Sequence, residues 1–222
     1  MNMDLTSYRS IGNLTDWLVR FSVVMIIISI ISTAAEFYVT LSGAIDESQF
    51  TIADIIGTIS FVISIPIIII VLVWFYRATK NIYSFGAKYV NSPGMAVVWW
   101  FIPIMNLWKP HEVAQQIWRA SNPEIKLTEG TEWRKVPSST IIKIWWVLGL
   151  VSIFGVIVVD HVASDLISQY NTIDPEQAEE ARLMSLYVNL VTIPFVVISI
   201  FSIIYFMRMI RQVSTWQYHE LI

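Results

Sequence analysis

The chain has 222 residues, 55% of them hydrophobic and 14% charged, with a net charge of −3 and a mean hydropathy of +0.61. A soluble domain carries about 25% charged residues and less apolar mass, so the balance points to a polytopic membrane protein. No basic tract with interleaved aromatics supports nucleic-acid binding, and the absence of cysteine excludes a disulfide framework, a thiolate nucleophile and a thiolate metal site.

Four blocks are long enough to cross a bilayer: Trp17–Thr40, Ile55–Tyr76, Ile141–Val159 and Leu186–Met207. They make roughly 28–36 Å of helix against a hydrocarbon core of about 30 Å. Lipid offers no partner to a free N–H or carbonyl, so each is a helix. Pro66 and Pro194 predict kinks in the second and fourth, with neighbouring helices satisfying the freed carbonyls. Thr33 and Ala35 before Glu36 raise a cleaved signal peptide as a competing reading of the first block. The region ahead of that block contains Asp4 and Asp16 and is longer than a basic n-region, so an uncleaved helix is expected.

Met95–Trp108 is apolar but short, about 21 Å of helix, and Pro103 removes the hydrogen bond to the Trp99 carbonyl. Charge argues further against a crossing. With four spans and a cytoplasmic amino terminus, 13 of the 14 basic residues face the cytoplasm and Arg182 alone lies outside. A fifth crossing at this segment turns the split into 6 against 8, contrary to the positive-inside bias. All ten tryptophans (17, 74, 99, 100, 108, 118, 133, 145, 146 and 216) fall on the cytoplasmic half in the four-span reading. The outer side has Phe37, Tyr38, Phe50, Tyr170 and Tyr187, with acidic loops holding Asp46, Glu47, Asp54, Asp160, Asp165, Asp174, Glu176, Glu179 and Glu180.

Within 92–121, Ser92 is placed as an N-cap with Pro93 at the first helical position and Gly94 following. Pro103 breaks the helix, Asn106 follows with an amide that donates and accepts, and Lys109-Pro110 starts a second helix. On that helix Val113, Ala114, Ile117, Trp118 and Ser121 form one face, and Glu112, Gln115, Gln116 and Arg119 the other. A basic, tryptophan-bearing amphipathic helix lies in a membrane interface. The expected fold is an all-α membrane protein: four transmembrane helices plus a broken re-entrant or interfacial helix pair on the cytoplasmic side, all one integral membrane domain over 1–222.

The candidate functional surface is Arg77, Asn81, Pro93, Gly94, Trp99, Trp100, Pro103, Asn106, Lys109, Pro110, Trp118 and Arg119. One account makes the break a site, with carbonyls near Trp99–Pro103 and Asn106 lining it as in discontinuous transporter helices. The favoured account has Asn106 capping those carbonyls while the segment packs as a wedge. Arg77, Lys80 and Asn81, like Arg208 and Arg211, read as snorkelling anchors at helix ends, with a basic rim for headgroups as the alternative. The two Arg-x-x-Lys/Arg endings suggest a repeat only weakly, because their distances from Pro66 and Pro194 differ. His111 in "HEVAQ" lacks the second histidine of a zinc-protease helix. The Asn13-Leu14-Thr15 sequon is discarded as cytoplasmic. Glu36 and Asp160 sit at outer span ends and form no pair.

The runs "WFYRATKN" (Trp74–Asn81), "SPGMAVVWWFIPIMNLWKP" (Ser92–Pro110) and "IWRAS" (Ile117–Ser121), with the pair Trp145-Trp146, resemble the bacterial family called domain of unknown function 4328. Met95 departs from the tryptophan expected after Pro-Gly. The resemblance implies a bacterial multi-pass membrane protein and no reaction. Three functions compete. The first is a non-catalytic inner-membrane protein whose tryptophan-rich basic face binds membrane lipids or another membrane protein. The second is a small transporter or channel using 92–110. The third is a lipid-modifying membrane enzyme, for which no acid, base or metal cluster is recognisable. Span interiors carry no ionisable residue of the kind ion-coupled transport uses. The first is expected, with no enzyme activity, no cofactor, no nucleic acid and both termini cytoplasmic.

Overall fold

The structure, a computed structural model, describes residues 8–42, 52–170 and 174–219, apart from the side chains of 52–54. Asp46, Glu47 and Phe50, and the side chain of Asp54, thus lie outside the described residues. Among the described residues 81% are helical and none is in a strand. The helices are α1 (Gly12–Ser42), α2 (Ile52–Ser84), α3 (Pro93–Val98), α4 (Lys109–Ala120), α5 (Thr140–Ile167) and α6 (Pro175–His219), with short 3-10 turns at Met105–Leu107 and Glu132–Lys135. Four of them, α1, α2, α5 and α6, are long and apolar enough to cross a membrane.

Those four helices continue beyond the expected spans. α6 has 45 residues, about 68 Å of helix. Hydropathy stops counting at the first charges, but a helix continues wherever one face still packs on protein. Phe75, Ala78, Ile82 and Phe85 are buried at spacings of three and four along the end of α2 and just past it, as are Phe206, Met209, Val213 and Gln217 on α6. α6 begins where Asp174 accepts the Glu176 N–H at 3.1 Å ahead of Pro175, a side-chain cap on orphan amides. Pro66 and Pro194 lie inside α2 and α6 without ending either.

Two compact units result. The first comprises Met1–Ser22, Ile65–Val147 and Ile203–Ile222, the second Val23–Ser64 and Leu148–Ser202. The division reproduces the charge count. All ten tryptophans and 13 of the 14 basic residues belong to the first unit, and Arg182 to the second. Met95–Trp108 and both of its flanks lie in the first unit. The continuous hydrophobic core belongs wholly to this unit. It includes Leu18 and Val19 of α1, and beside them the buried Thr15 hydroxyl accepts the Trp74 indole N–H at 2.9 Å.

The second unit is built differently. Its large apolar side chains point outward, with Phe61 68%, Ile153 58% and Val158 59% exposed. Water would not tolerate such a surface, whereas lipid tails solvate it. Contact within this unit instead uses small and polar residues. Gly149 faces the Ser202 hydroxyl and Gly155 the Phe195 ring, while Asn189 Nδ2 donates to the Thr40 hydroxyl at 3.1 Å.

Candidate functional site

Asn81, on the last turns of α2, is 0% exposed. Its Oδ1 accepts the Arg9 N–H at 2.9 Å, and its Nδ2 donates to the Arg9 carbonyl at 2.9 Å and to Gln217 Oε1 at 2.8 Å. Gln217, also 0% exposed, donates from Nε2 to the Ser121 hydroxyl at 2.9 Å and the Ala78 carbonyl at 3.2 Å. Each amide has two N–H donors, and all four are used. Residue 9, α2, the end of α4 and α6 are tied at one point. Asn81 is therefore a joint of the fold, whereas among the described residues its neighbour Arg77 reaches only the Ser10 carbonyl, in an exposed bond of 3.3 Å.

A second polar circuit fixes α3 to α4. Trp99 Nε1 donates to Asn91 Oδ1 at 2.9 Å, and the Asn91 backbone N–H and Nδ2 donate to Gln116 Oε1 at 2.8 and 2.9 Å. Gln116 Nε2 donates to Glu112 Oε1 at 3.2 Å, and Lys109 Nζ to Glu112 Oε2 at 2.7 Å. Lys109 closes the circuit over the Trp99 ring, 5.5 Å from its centroid.

The break itself follows the residues that predict it. Ser92 caps α3 by accepting the Met95 N–H at 3.2 Å, with Pro93 in the first turn. The helix ends at Val98, just before Trp99, whose carbonyl the Pro103 ring would strike. Tight turns follow the break: Asn106 N–H donates to the Ile102 carbonyl at 3.0 Å, Met105 N–H to Pro103 at 2.7 Å and Leu107 N–H to Ile104 at 3.0 Å. Trp146 Nε1 donates to the Leu107 carbonyl at 2.7 Å. Asn106 meets one of the expected carbonyls: from an exposed position its Nδ2 donates to the Trp100 carbonyl at 3.4 Å. Met105 N–H closes a γ-turn on Ile104, which sits at φ 67°, a conformation foreign to β-branched residues.

The reading of the apolar face of α4 is corrected. Val113, Ala114, Ile117 and Ala120 are buried in the protein core, so that face is not free to lie on lipid. Gln115 joins the buried side, contrary to the expected polar face, because its amide pairs with Ser139: Nε2 donates to the Ser139 carbonyl at 2.9 Å, and Oε1 accepts the Ser139 N–H at 2.8 Å. What remains exposed is the tip, where Phe101 and Ile104 are each 68% accessible and Val98, Leu107 and Trp108 are exposed beside them.

Of the other expected residues, Pro110 is buried, Gly94 faces open space and Trp118 meets Trp216 edge-on at 4.6 Å. Trp100 joins a chain of rings, Trp74–Phe75–Trp100–Trp146–Trp145–Phe206, at centroid distances of 5.2 to 6.0 Å. Among the described residues Thr79 Oγ1, Trp100 Nε1 and Arg119 Nε are buried without a hydrogen-bond partner. Periodicity places Gln115 and Ser121 only on a helix face and gives no role to Gln217 or Asn91. The available sign was polar residues at core spacing, such as Gln217 four positions after Val213. In the second unit α5 and α6 border an apolar cleft of about 620 Å³, lined by Val158, Val162, Leu183 and Tyr187 with Glu180.

Next to α4, Glu132 is pushed down to about 2 by the Glu129 N–H, the Thr128 hydroxyl and the Gly130 N–H. The Glu129 and Gly130 N–H groups donate at 2.7 and 3.0 Å, and the hydroxyl at 2.7 Å. A depressed carboxyl contributes stability above its unfolded value of 4.5 and loses it as pH falls through about 2. The loop should therefore hold its structure at pH 5 and loosen between 4.5 and 2. Trp133 fluorescence in a chain with its other tryptophans replaced by phenylalanine should follow this, and Glu132→Gln should flatten the transition. An unchanged acid transition in Glu132→Gln would refute the assignment.

Comparison with curated proteins and with solved structures gives no significant match. Against protein families, residues 40–215 match one pattern, described as "Domain of unknown function (DUF4328)". That stretch takes in α2 to α5 and nearly all of α6, including the circuit of Asn91, Trp99, Gln116, Glu112 and Lys109 and the break beside it, together with Asn81 and Ser121, whereas Arg9 and Gln217 lie just outside it. With that much of its length matched, the chain belongs to the DUF4328 family of domains of unknown function.

Proposed function

We propose that this protein is a non-catalytic component of the bacterial cytoplasmic membrane whose tryptophan-rich, basic unit faces the cytoplasm and binds lipid through the exposed tip of the broken segment, residues 98–108. The observation that carries the reading is the tip: Phe101 and Ile104, each 68% exposed, at a turn held by its own backbone hydrogen bonds from Met105, Asn106 and Leu107. A phenylalanine or isoleucine side chain held in water forfeits roughly 1.5–3 kcal/mol of burial. Its strained φ also stores about 1–3 kcal/mol at Ile104. A protein bears such costs where the exposed side chains meet hydrocarbon. Trp108 and Lys109 behind the tip suit the headgroup level. The carbonyls of Trp100, Ile102, Pro103 and Ile104 are engaged, which weighs against an ion or solute cage there, and the basic majority of this unit supports a cytoplasmic placement with both termini inside.

The chain has no cysteine, which makes the test direct. Phe101→Cys and Ile104→Cys, labelled with a polarity-sensitive fluorophore in lipid nanodiscs, should emit blue-shifted and be quenched by brominated acyl chains. Lys126→Cys, on an exposed loop, should be quenched by aqueous iodide instead. Iodide quenching of all three labels to the same extent would sink the proposal.

A further inference from the structure

The geometry points to an anion site on the side of α4, built by Arg119, His111 and Lys143, for a phosphate-bearing group. It is independent of the tip and of the lipid-binding reading built on it.

His111, Gln115 and Arg119 recur every four residues, so they share a stripe along α4. Gln115 pins the middle of that stripe to Ser139 through two hydrogen bonds of 2.9 and 2.8 Å. Ser139 accepts the Lys143 N–H at 3.3 Å, which places Lys143 one turn along α5 from the pinned point. Three cationic or protonatable groups therefore line one strip. Among the described residues none of the three has a salt-bridge partner. The nearby carboxylate, Glu112, is committed to Lys109 and Gln116. Arg119 Nε is buried with no acceptor, a donor that a native fold ordinarily satisfies. A phosphate oxygen is the natural acceptor for a guanidinium fork, with Lys143 contributing point charge.

The charge around His111 agrees. Burial lowers its pKa first, then Lys143, with Glu112 opposing and Arg119 adding to the depression. The 3-10 turn Glu132–Lys135 also packs on α4. Its Glu132 is held by its own loop, Arg134 lies over the Tyr89 and Trp133 rings, and Lys135 is exposed. None supplies the missing negative charge. A bound dianion would, and would raise the His111 pKa.

The test is an NMR titration of the His111 ring in the full-length protein in nanodiscs, with His111→Gln assigning its resonance among the three histidines. One arm adds inorganic phosphate to phosphatidylcholine nanodiscs. The other uses nanodiscs containing phosphatidylglycerol without added phosphate. The apparent proton affinity of His111 should rise about three- to tenfold in at least one arm. That corresponds to roughly half to one pKa unit from an added negative neighbour. A response to phosphate alone identifies a soluble ligand, and a response to phosphatidylglycerol alone a lipid headgroup. Lys143→Gln, at an exposed position, should weaken the response about fivefold, and Arg119→Gln should abolish it. Arg119→Lys, which keeps the charge, should retain part of it. No response in either arm, or a response equal in wild type, Lys143→Gln and Arg119→Gln, overturns the proposal.

Discussion

Asn81→Leu is expected to destabilise the protein by about 3–5 kcal/mol, near the upper end for a single substitution. The side chain removed is 0% exposed and serves the Arg9 N–H, the Arg9 carbonyl and Gln217 Oε1. Leucine fills similar space but leaves those three groups buried and unpaired, each costing roughly 1–3 kcal/mol less whatever water or rotation restores. Gln217→Leu should cost about 2–4 kcal/mol by the same reasoning. Because the two amides bond each other, the double variant should lose about 1–2 kcal/mol less than the sum of the singles. Denaturant unfolding in detergent measures all three. A loss below about 0.5 kcal/mol for Asn81→Leu, the range of an ordinary surface substitution, would show that the network is not a joint. Arg77→Gln, which gives up one exposed contact at 3.3 Å, should stay within about 0.5 kcal/mol.

The other large effect lies in the second unit. A Cβ on Gly155 would overlap the ring of Phe195, an aromatic that cannot fold away as a flexible chain end does. Gly155→Leu should therefore force α5 and α6 apart at that point and cost about 2–3 kcal/mol or more. Gly155→Ala should cost less, since alanine regains up to about 1 kcal/mol of helix propensity. Shortening the ring partner offers the decisive comparison: Gly155→Ala with Phe195→Leu should be more stable than Gly155→Ala alone. Gly57→Ala, where nothing lies within 4 Å of the new carbon, should be neutral or mildly stabilising. Equal behaviour of Gly57→Ala and Gly155→Leu would remove the close approach from the account.

The sequence by itself determined the quantities that add up along a segment. Length and hydropathy set the number of helices long and apolar enough to cross a membrane, and the run of Lys and Arg along the chain matches the division into two compact units. The cyclic side chain of Pro103 dictated where the short helix stops, and Ser92-Pro93 where it starts. Each is a local or summed property, legible without knowing any neighbour. Only the tertiary structure decided what the polar side chains do. Asn81 and Asn106 carry the same amide, yet one is wholly buried between Arg9 and Gln217 and the other is exposed, with one long bond to the Trp100 carbonyl. The same holds for α4, whose apolar stripe suits lipid as well as protein until the core that takes it is assembled. An amide or an apolar face has no preference among partners of equal chemistry. Which partner it meets is fixed by which helices pack together, and that depends on contacts as distant as the 136 residues between Asn81 and Gln217.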